Sequence, residues 1–166
     1  MNVLNAIKKR RSIRKYTKKP ILEKDLRELL EVARLAPSGS NRQPWEIILV
    51  RDETRKKELV PLCKDQKFIA DCSVLLVGVD NPEQKWQRVD LAIAFDHIAL
   101  AAVEKGLGTC WIGAFDREAV ARYLKVPEGK VVTACLTLGY PAEDPEPRHR
   151  KEMEDLFHWE EYGGTE

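Results

Sequence analysis

One domain in which helices alternate with buried strands is the fold class this sequence predicts, and three features carry the expectation. The chain has 166 residues, about one ordinary domain's worth. Runs with helical apolar spacing alternate with short apolar runs of strand length, and no repeat, low-complexity segment or composition break divides them. One helical stretch is apolar on nearly every side, which demands deep burial. With 43% hydrophobic and 33% charged residues, the chain is globular rather than disordered.

The elements follow in order. Val3, Leu4 and Ile7 share one face of a short first helix, and Ile13 and Tyr16 are apolar anchors in the extended stretch after it. From Ile21 to Ala36, Leu22, Leu26, Leu29, Leu30 and Ala33 form an amphipathic stripe that Pro37 ends. Ala36 to Trp45 is turn-rich, and Trp45 to Val50 reads as a strand. Asp52 caps a helix reaching about Leu62. Ser73 to Val79 is a strand buried on both faces.

Arg88 to Lys105 is a long helix that the residues from Leu91 to Val103 surround almost completely with apolar side chains, interrupted only by Asp96 and His97. One small sheet can hardly cover it, so a second subunit with a large apolar interface is expected. After Gly106-Leu-Gly108, Thr109 to Phe115 is a strand, Asp116 caps a helix to about Leu124, and Val131 to Gly139 is the last strand. Pro145 and Pro147 stiffen the connection to a tail whose Leu156, Phe157, Trp159 and Tyr162 need a surface to dock on. The partner subunit is a candidate for it.

Composition excludes several functions. The 28 basic and 27 acidic residues balance to a net charge of +1, which argues against a surface built for nucleic acid. No apolar run approaches membrane-spanning length, and the basic N-terminus lacks a signal-peptide core, so a cytoplasmic protein is expected. Cys63, Cys72, Cys110 and Cys135 form no C-x-x-C pair. The histidines His97, His149 and His158 stand at no metal-ligand spacing, so reduced, mostly buried thiols and no metal are expected. His97 reads as a satisfied core or interface residue.

Four segments could carry chemistry. From Lys8 to Lys19 there are eight basic residues and no acid, a pattern open to a solvated face, a nucleic-acid patch or an anion site. Arg10, Arg11, Ser12 and Arg14 fall where the short helix gives way to the anchored stretch. Converging guanidinium groups with a hydroxyl suit one dianionic phosphate. In Ala36-Pro-Ser-Gly-Ser-Asn-Arg-Gln-Pro-Trp45, hydroxyls and amides suit a polyhydroxy chain or the edge of a heteroaromatic ring, or else make a plain surface turn. In Gly108-Thr-Cys-Trp-Ile-Gly-Ala-Phe115, glycine lets the backbone approach a ligand with an N–H towards it. Arg148-His-Arg150 offers a second anion contact. Nucleophile elbow, P-loop, G-x-G-x-x-G and H-E-x-x-H motifs are all missing, which suggests that a cofactor performs the reaction.

Taken together, Arg10-Arg-Ser-Ile-Arg14, the Ala36 to Trp45 loop, Gly108-Thr-Cys-Trp-Ile-Gly113, Leu138-Gly-Tyr-Pro141 and the late Arg-x-Arg resemble the FMN-dependent nitroreductase family in order and spacing across essentially the whole chain. The resemblance implies an α+β fold, a mainly antiparallel sheet flanked by helices, in an intertwined homodimer with flavin at the subunit interface. It also implies a single domain over 1–166 whose C-terminal arm, about 145–166, packs on the partner subunit and adds an edge strand there. Arg10, Arg11, Ser12 and Arg14 would hold the phosphate, ribityl chain and pyrimidine edge of FMN, with Arg14 near N1 and O2. Pro37, Ser38, Gly39, Asn41 and Gln43 would contact the flavin, the Pro37 to Gly39 turn reaching it from the opposite subunit. Backbone groups of Trp111, Ile112, Gly113 and Ala114 would lie along the ring, and Arg148 and Arg150 would complete the phosphate site.

The reaction so implied is ping-pong: NADH or NADPH reduces FMN and leaves, and a small acceptor such as a nitroaromatic or quinone follows. The short connector Asn81 to Gln87 would leave the pocket thinly roofed, with Phe68 and Trp86 as possible walls. Relatives on this scaffold also oxidise azoline rings, remove iodine from iodotyrosine or destroy flavin. Flavin storage and nucleic-acid binding by the basic block are the non-enzymatic alternatives.

Overall fold

The computed structural model describes residues 2–166. In chain order the elements are α1 (Val3–Lys9), α2 (Glu23–Arg34), β1 (Trp45–Val50), α3 (Glu53–Leu62), α4 (Phe68–Asp71), β2 (Val74–Asp80), α5 (Gln87–Glu104), β3 (Gly108–Ile112), α6 (Arg117–Tyr123) and β4 (Val131–Gly139), with a 3₁₀ turn at Gly39–Asn41. The strands form one antiparallel sheet in the order β1-β2-β4-β3. The fold is thus α+β, with helices on both faces of the sheet.

Alternation along β2 builds both halves of the core. Val74 and Leu76 pack with Leu26, Leu29, Leu91, Phe95, Leu136 and Leu138 under α2 and α5. Leu75, Val77 and Val79 pack with Leu59, Ile69, Val120 and Cys135 under α3, α4 and α6. Gly78 is where α5 comes closest: a Cβ there would lie 2.6 Å from Leu91 Cδ2 and 3.1 Å from Phe95 Cζ. Asp52 and Asp116 cap α3 and α6 by accepting from the Arg55 and Ala119 N–H groups. All four cysteines are free and buried, and burial pushes the Cys63 and Cys72 thiols up to about 11.

One expectation needs correction. Strand pairing ends at Ile112, opposite Cys135, so Gly113, Ala114 and Phe115 lie beyond β3. There Phe115 turns into the core, and the Asp116 N–H bonds to the Leu62 carbonyl. As expected, α5 is not covered all round by its own chain. Leu91, Ala94, Phe95, Ile98, Ala99 and Ala102 are buried, but Val89 is exposed, and Ile93, His97, Leu100 and Val103 are half-buried. This open flank meets exposed Val3 of α1 at a shallow depression of about 300 Å³ that Leu100, Ala101 and His97 also line. The short α4 has no counterpart among the expected elements because four residues are too few to show a period. The tail after Ala142 contains only local turns, and Leu156, Phe157, Trp159 and Tyr162 rest exposed.

Candidate functional site

Two corners of the molecule carry the candidate residues. At the first, α1 stops at Arg10, and the chain runs on extended beside β3. Ser12 pairs in parallel with Thr109, and the Ile13 N–H donates to the Thr109 carbonyl at 2.9 Å. Ile13 itself fills the space that a side chain at position 108 would need, a Cβ there lying 2.5 Å from Ile13 Cγ1. Gly108 therefore serves this packing. The Tyr16 hydroxyl donates to the Ile13 carbonyl and can accept from the Thr137 hydroxyl, both at 2.7 Å. Burial raises the Tyr16 phenol far above its ordinary value, so it stays a donor. Glu143 accepts from the Arg14 N–H and completes the clamp.

This clamp presents Arg10, Arg11, Ser12 and Arg14 on one side of a cleft of about 390 Å³, and Arg148 and Arg150 close the other side. The Arg11 guanidinium donates to the Lys8 and Arg10 carbonyls at 2.7 and 3.0 Å, which fixes its position. Among the described residues, none of these five arginines forms an ion pair. Glu146 also lines the cleft, but the five guanidinium groups outnumber it, and that excess of positive charge is what a phosphate dianion relieves. Further along the same sheet edge, Trp111, Gly113 and Ala114 are exposed, while the Ile112 side chain is buried and leaves only its backbone for a ligand. A Cβ on Gly113 would meet nothing within 4 Å. The Gln66 side-chain amide donates to the Ala114 carbonyl at 2.9 Å and steadies this strip, a role the sequence reading missed.

The second corner is the loop before β1. Ser40, Asn41 and Gln43 have φ values of 51°, 54° and 50°, left-handed conformations that residues with side chains seldom adopt. The Gln43 N–H donates to Ser38 Oγ at 2.9 Å, and the Gln43 amide donates to the Asn41 carbonyl at 3.0 Å. Asp90 of α5, another residue missed from sequence, accepts from the Gly39 N–H at 3.1 Å. The half-exposed Trp86 lies over Gly39. Phe68 is instead half-buried in the core on the opposite face of the sheet, so the single chain does not unite Phe68 and Trp86 in one wall.

Beside this loop lies a cleft of about 420 Å³ bordered by Gln43, Trp45 and Asp80. The Trp45 indole N–H and both Asp80 carboxylate oxygens are buried without a hydrogen-bond partner. Burial raises the Asp80 pKa, and the positive charge of Arg88 only partly opposes it.

The corners stand diagonally across the sheet. Ser12 sits at the level of Thr109, opposite Leu138, whereas Trp45 is level with Asp80 and Val131. Seven residues along β4 and four strand spacings across separate them, roughly 23 Å by 19 Å.

The sequence profile of the nitroreductase family matches residues 7–71 and 61–140. The chain belongs to this family. An NADH dehydrogenase of Thermus thermophilus is 31% identical over 197 aligned positions, covering 96% of each chain. The iodotyrosine deiodinase of Thermotoga neapolitana is 30% identical, covering 86% of this chain and 89% of the relative. The solved structure of the NADPH:FMN oxidoreductase from Vibrio harveyi complexed with NAD+ superposes with a TM-score of 0.93 at 25% identity, over 100% of this chain and 80% of that one. The chain is accordingly a nitroreductase-family oxidoreductase on a nitroreductase fold.

Proposed function

We propose that this nitroreductase-family chain binds FMN between two copies of itself and moves electrons from NADH or NADPH to a small organic acceptor such as a nitroaromatic or a quinone. The observation that carries the reading is the cleft of unpaired arginines continuing along one sheet edge into the exposed Trp111 to Ala114 strip. A phosphate suits the first part and a planar ring the second. The names of the relatives, which include NADH and NADPH oxidoreductases and one acting on FMN, support the same chemistry.

Arg10, Arg11, Ser12, Arg148 and Arg150 would bind the phosphate and the adjoining hydroxyls. Arg14, two residues further along the edge, would set positive charge beside the pyrimidine edge of the ring. The open backbone at Gly113 would offer an N–H towards the ring, with no Cβ in the way. FMN, when bound, supplies the capacity to take up a hydride and pass electrons on. The protein's contribution is position and charge rather than an acid or base of its own.

The second copy is part of the proposal. Pro37, Ser38, Gly39, Asn41 and Gln43 stand too far from the arginines of their own chain to share one FMN with them, so they would serve the partner's. The open flank of α5, with Val3, Leu4 and Ile7 exposed on α1, is the apolar surface on which a homodimer would form. The arm after residue 145 would dock on the partner. No helix among the described residues is long and apolar enough to cross a membrane.

The absorbance spectrum tests the reading. Purified protein is expected to be yellow, to bleach with NADH or NADPH without oxygen, and to recover its colour with a nitroaromatic or quinone. Colourless protein without affinity for added FMN overturns it. Likeness to the deiodinase favours one second reading, reductive removal of halogen from a haloaromatic acceptor. Release of halide from iodotyrosine at a rate exceeding nitroaromatic reduction would select it.

A further inference from the structure

The Pro37 to Gln43 loop holds three residues with side chains in the left-handed region, an arrangement that persists only where surrounding structure enforces it. Most of its hydrogen bonds are internal: Asn41 N–H to the Ser38 carbonyl, Arg42 N–H to the Gly39 carbonyl, and Gln43 to Ser38 and Asn41. Among the described residues, one hydrogen bond ties the loop to the rest of the chain. It runs from the Gly39 N–H to Asp90 Oδ1 at 3.1 Å.

Asp90 is an unusual choice for that task. It is 4% exposed, a carboxylate set in a helix whose other buried residues, Gln87 apart, are apolar. A buried charge is retained only with compensation, and here the first turn of an 18-residue helix supplies part of it. The bond it makes is charge-assisted and stronger than a neutral one. Trp86, one turn earlier, presses on the same glycine, whose added Cβ would lie 3.1 Å from Trp86 Cδ1. The start of α5 therefore grips the loop by both a bond and a contact.

We propose that Asp90 is a positioning residue whose carboxylate holds the Pro37–Gln43 loop in the strained form that meets the flavin of the partner subunit. The central helix and the cofactor cradle then behave as one rigid piece. The flavin part rests on the function proposed above; the tether does not.

Arg42 supplies the assay, because trypsin can cut the Arg42–Gln43 bond once the loop loosens. In the flavin-free protein, D90A is expected to be cut there at least tenfold faster than wild type. Its FMN affinity, read by flavin fluorescence, is expected to fall at least tenfold. D90N, whose amide oxygen can accept the same N–H, should remain within about threefold of wild type in both. Unchanged cleavage in D90A overturns the tether, and D90N as impaired as D90A overturns the role assigned to this bond. Loosened D90A that binds FMN as wild type does overturns the positioning role. Should D90A not fold, amide exchange in the wild-type apo-protein decides. A Gly39 N–H slowed at least a hundredfold supports the tether, and exchange at the unprotected rate refutes it. Failure of the wild type to take up FMN would refute the proposed function, while cleavage and exchange would still judge the tether.

Discussion

The arginine corner and the loop corner solve opposite problems. Arg10 to Arg14 lie on backbone clamped from several sides, by Thr109, by Ile13 against Gly108, by Tyr16 and by Glu143. What remains unbalanced there is charge, since five arginines share a cleft with one acid, Glu146, and none of the five forms an ion pair among the described residues. At the loop the charge is settled and the backbone is not, with three left-handed residues tied outward by a single carboxylate. A ligand stands to relieve repulsion at the first corner and to find a shaped surface at the second. The contrast teaches that binding strength and binding shape reside in different parts of the chain.

The largest expected effect breaks the first corner alone. Replacing Arg10 and Arg14 together by alanine removes two charge-assisted contacts worth about 1.5–3 kcal/mol each, so FMN affinity in a fluorescence titration should fall by at least ~100-fold. The melting temperature of the flavin-free variant should not fall, because like charges are removed. Next comes Gly108→Val, which touches no arginine but displaces Ile13 beneath them. Overpacking here should lower stability by about 1–3 kcal/mol in a urea titration and weaken FMN binding, with cleavage at Arg42 unchanged.

A smaller effect sharpens the second corner. Burial raises the Asp80 pKa, so as pH climbs from the unfolded carboxylate value the folded state keeps a proton that the unfolded state has lost. Stability contributed by the protonated group is complete below that unfolded value and declines as pH rises through the folded one. Asp80→Asn removes the decline. Its melting temperature should exceed wild type by a few degrees at pH 7, and the gain should vanish below pH ~3.9, where both states are protonated. The smallest effect concerns the thiols. With Cys63 and Cys72 raised to about 11 by burial, the native protein should react with a thiol reagent only as it unfolds.

The same division explains how much could be read from sequence. The arginine corner was legible because its parts are local: a helix end, two apolar anchors, and Arg148 and Arg150 one residue apart. The helix and strand order was legible from periodicity, within a residue or two at most ends. Asp90 escaped notice because a lone acid in a first helical turn looks like ordinary dipole compensation, and Gln66 because its bond spans 48 positions. Phe68 was paired with Trp86 on sequence grounds, yet which face of a sheet a four-residue helix covers is fixed only by tertiary packing. The diagonal placement of the two corners depends on strand order and register, which no local pattern encodes.

A site shared between two chains can be tested by complementation. One variant carries Arg10→Ala and Arg14→Ala, the other Ser38→Tyr in the loop, and each alone should bind little FMN. Mixed and allowed to exchange subunits, they should regain about a quarter of the wild-type FMN sites, because half the dimers are hybrids and each hybrid holds one intact site. Hybrids that form yet bind no more FMN than the two parents would contradict a cofactor held across the interface.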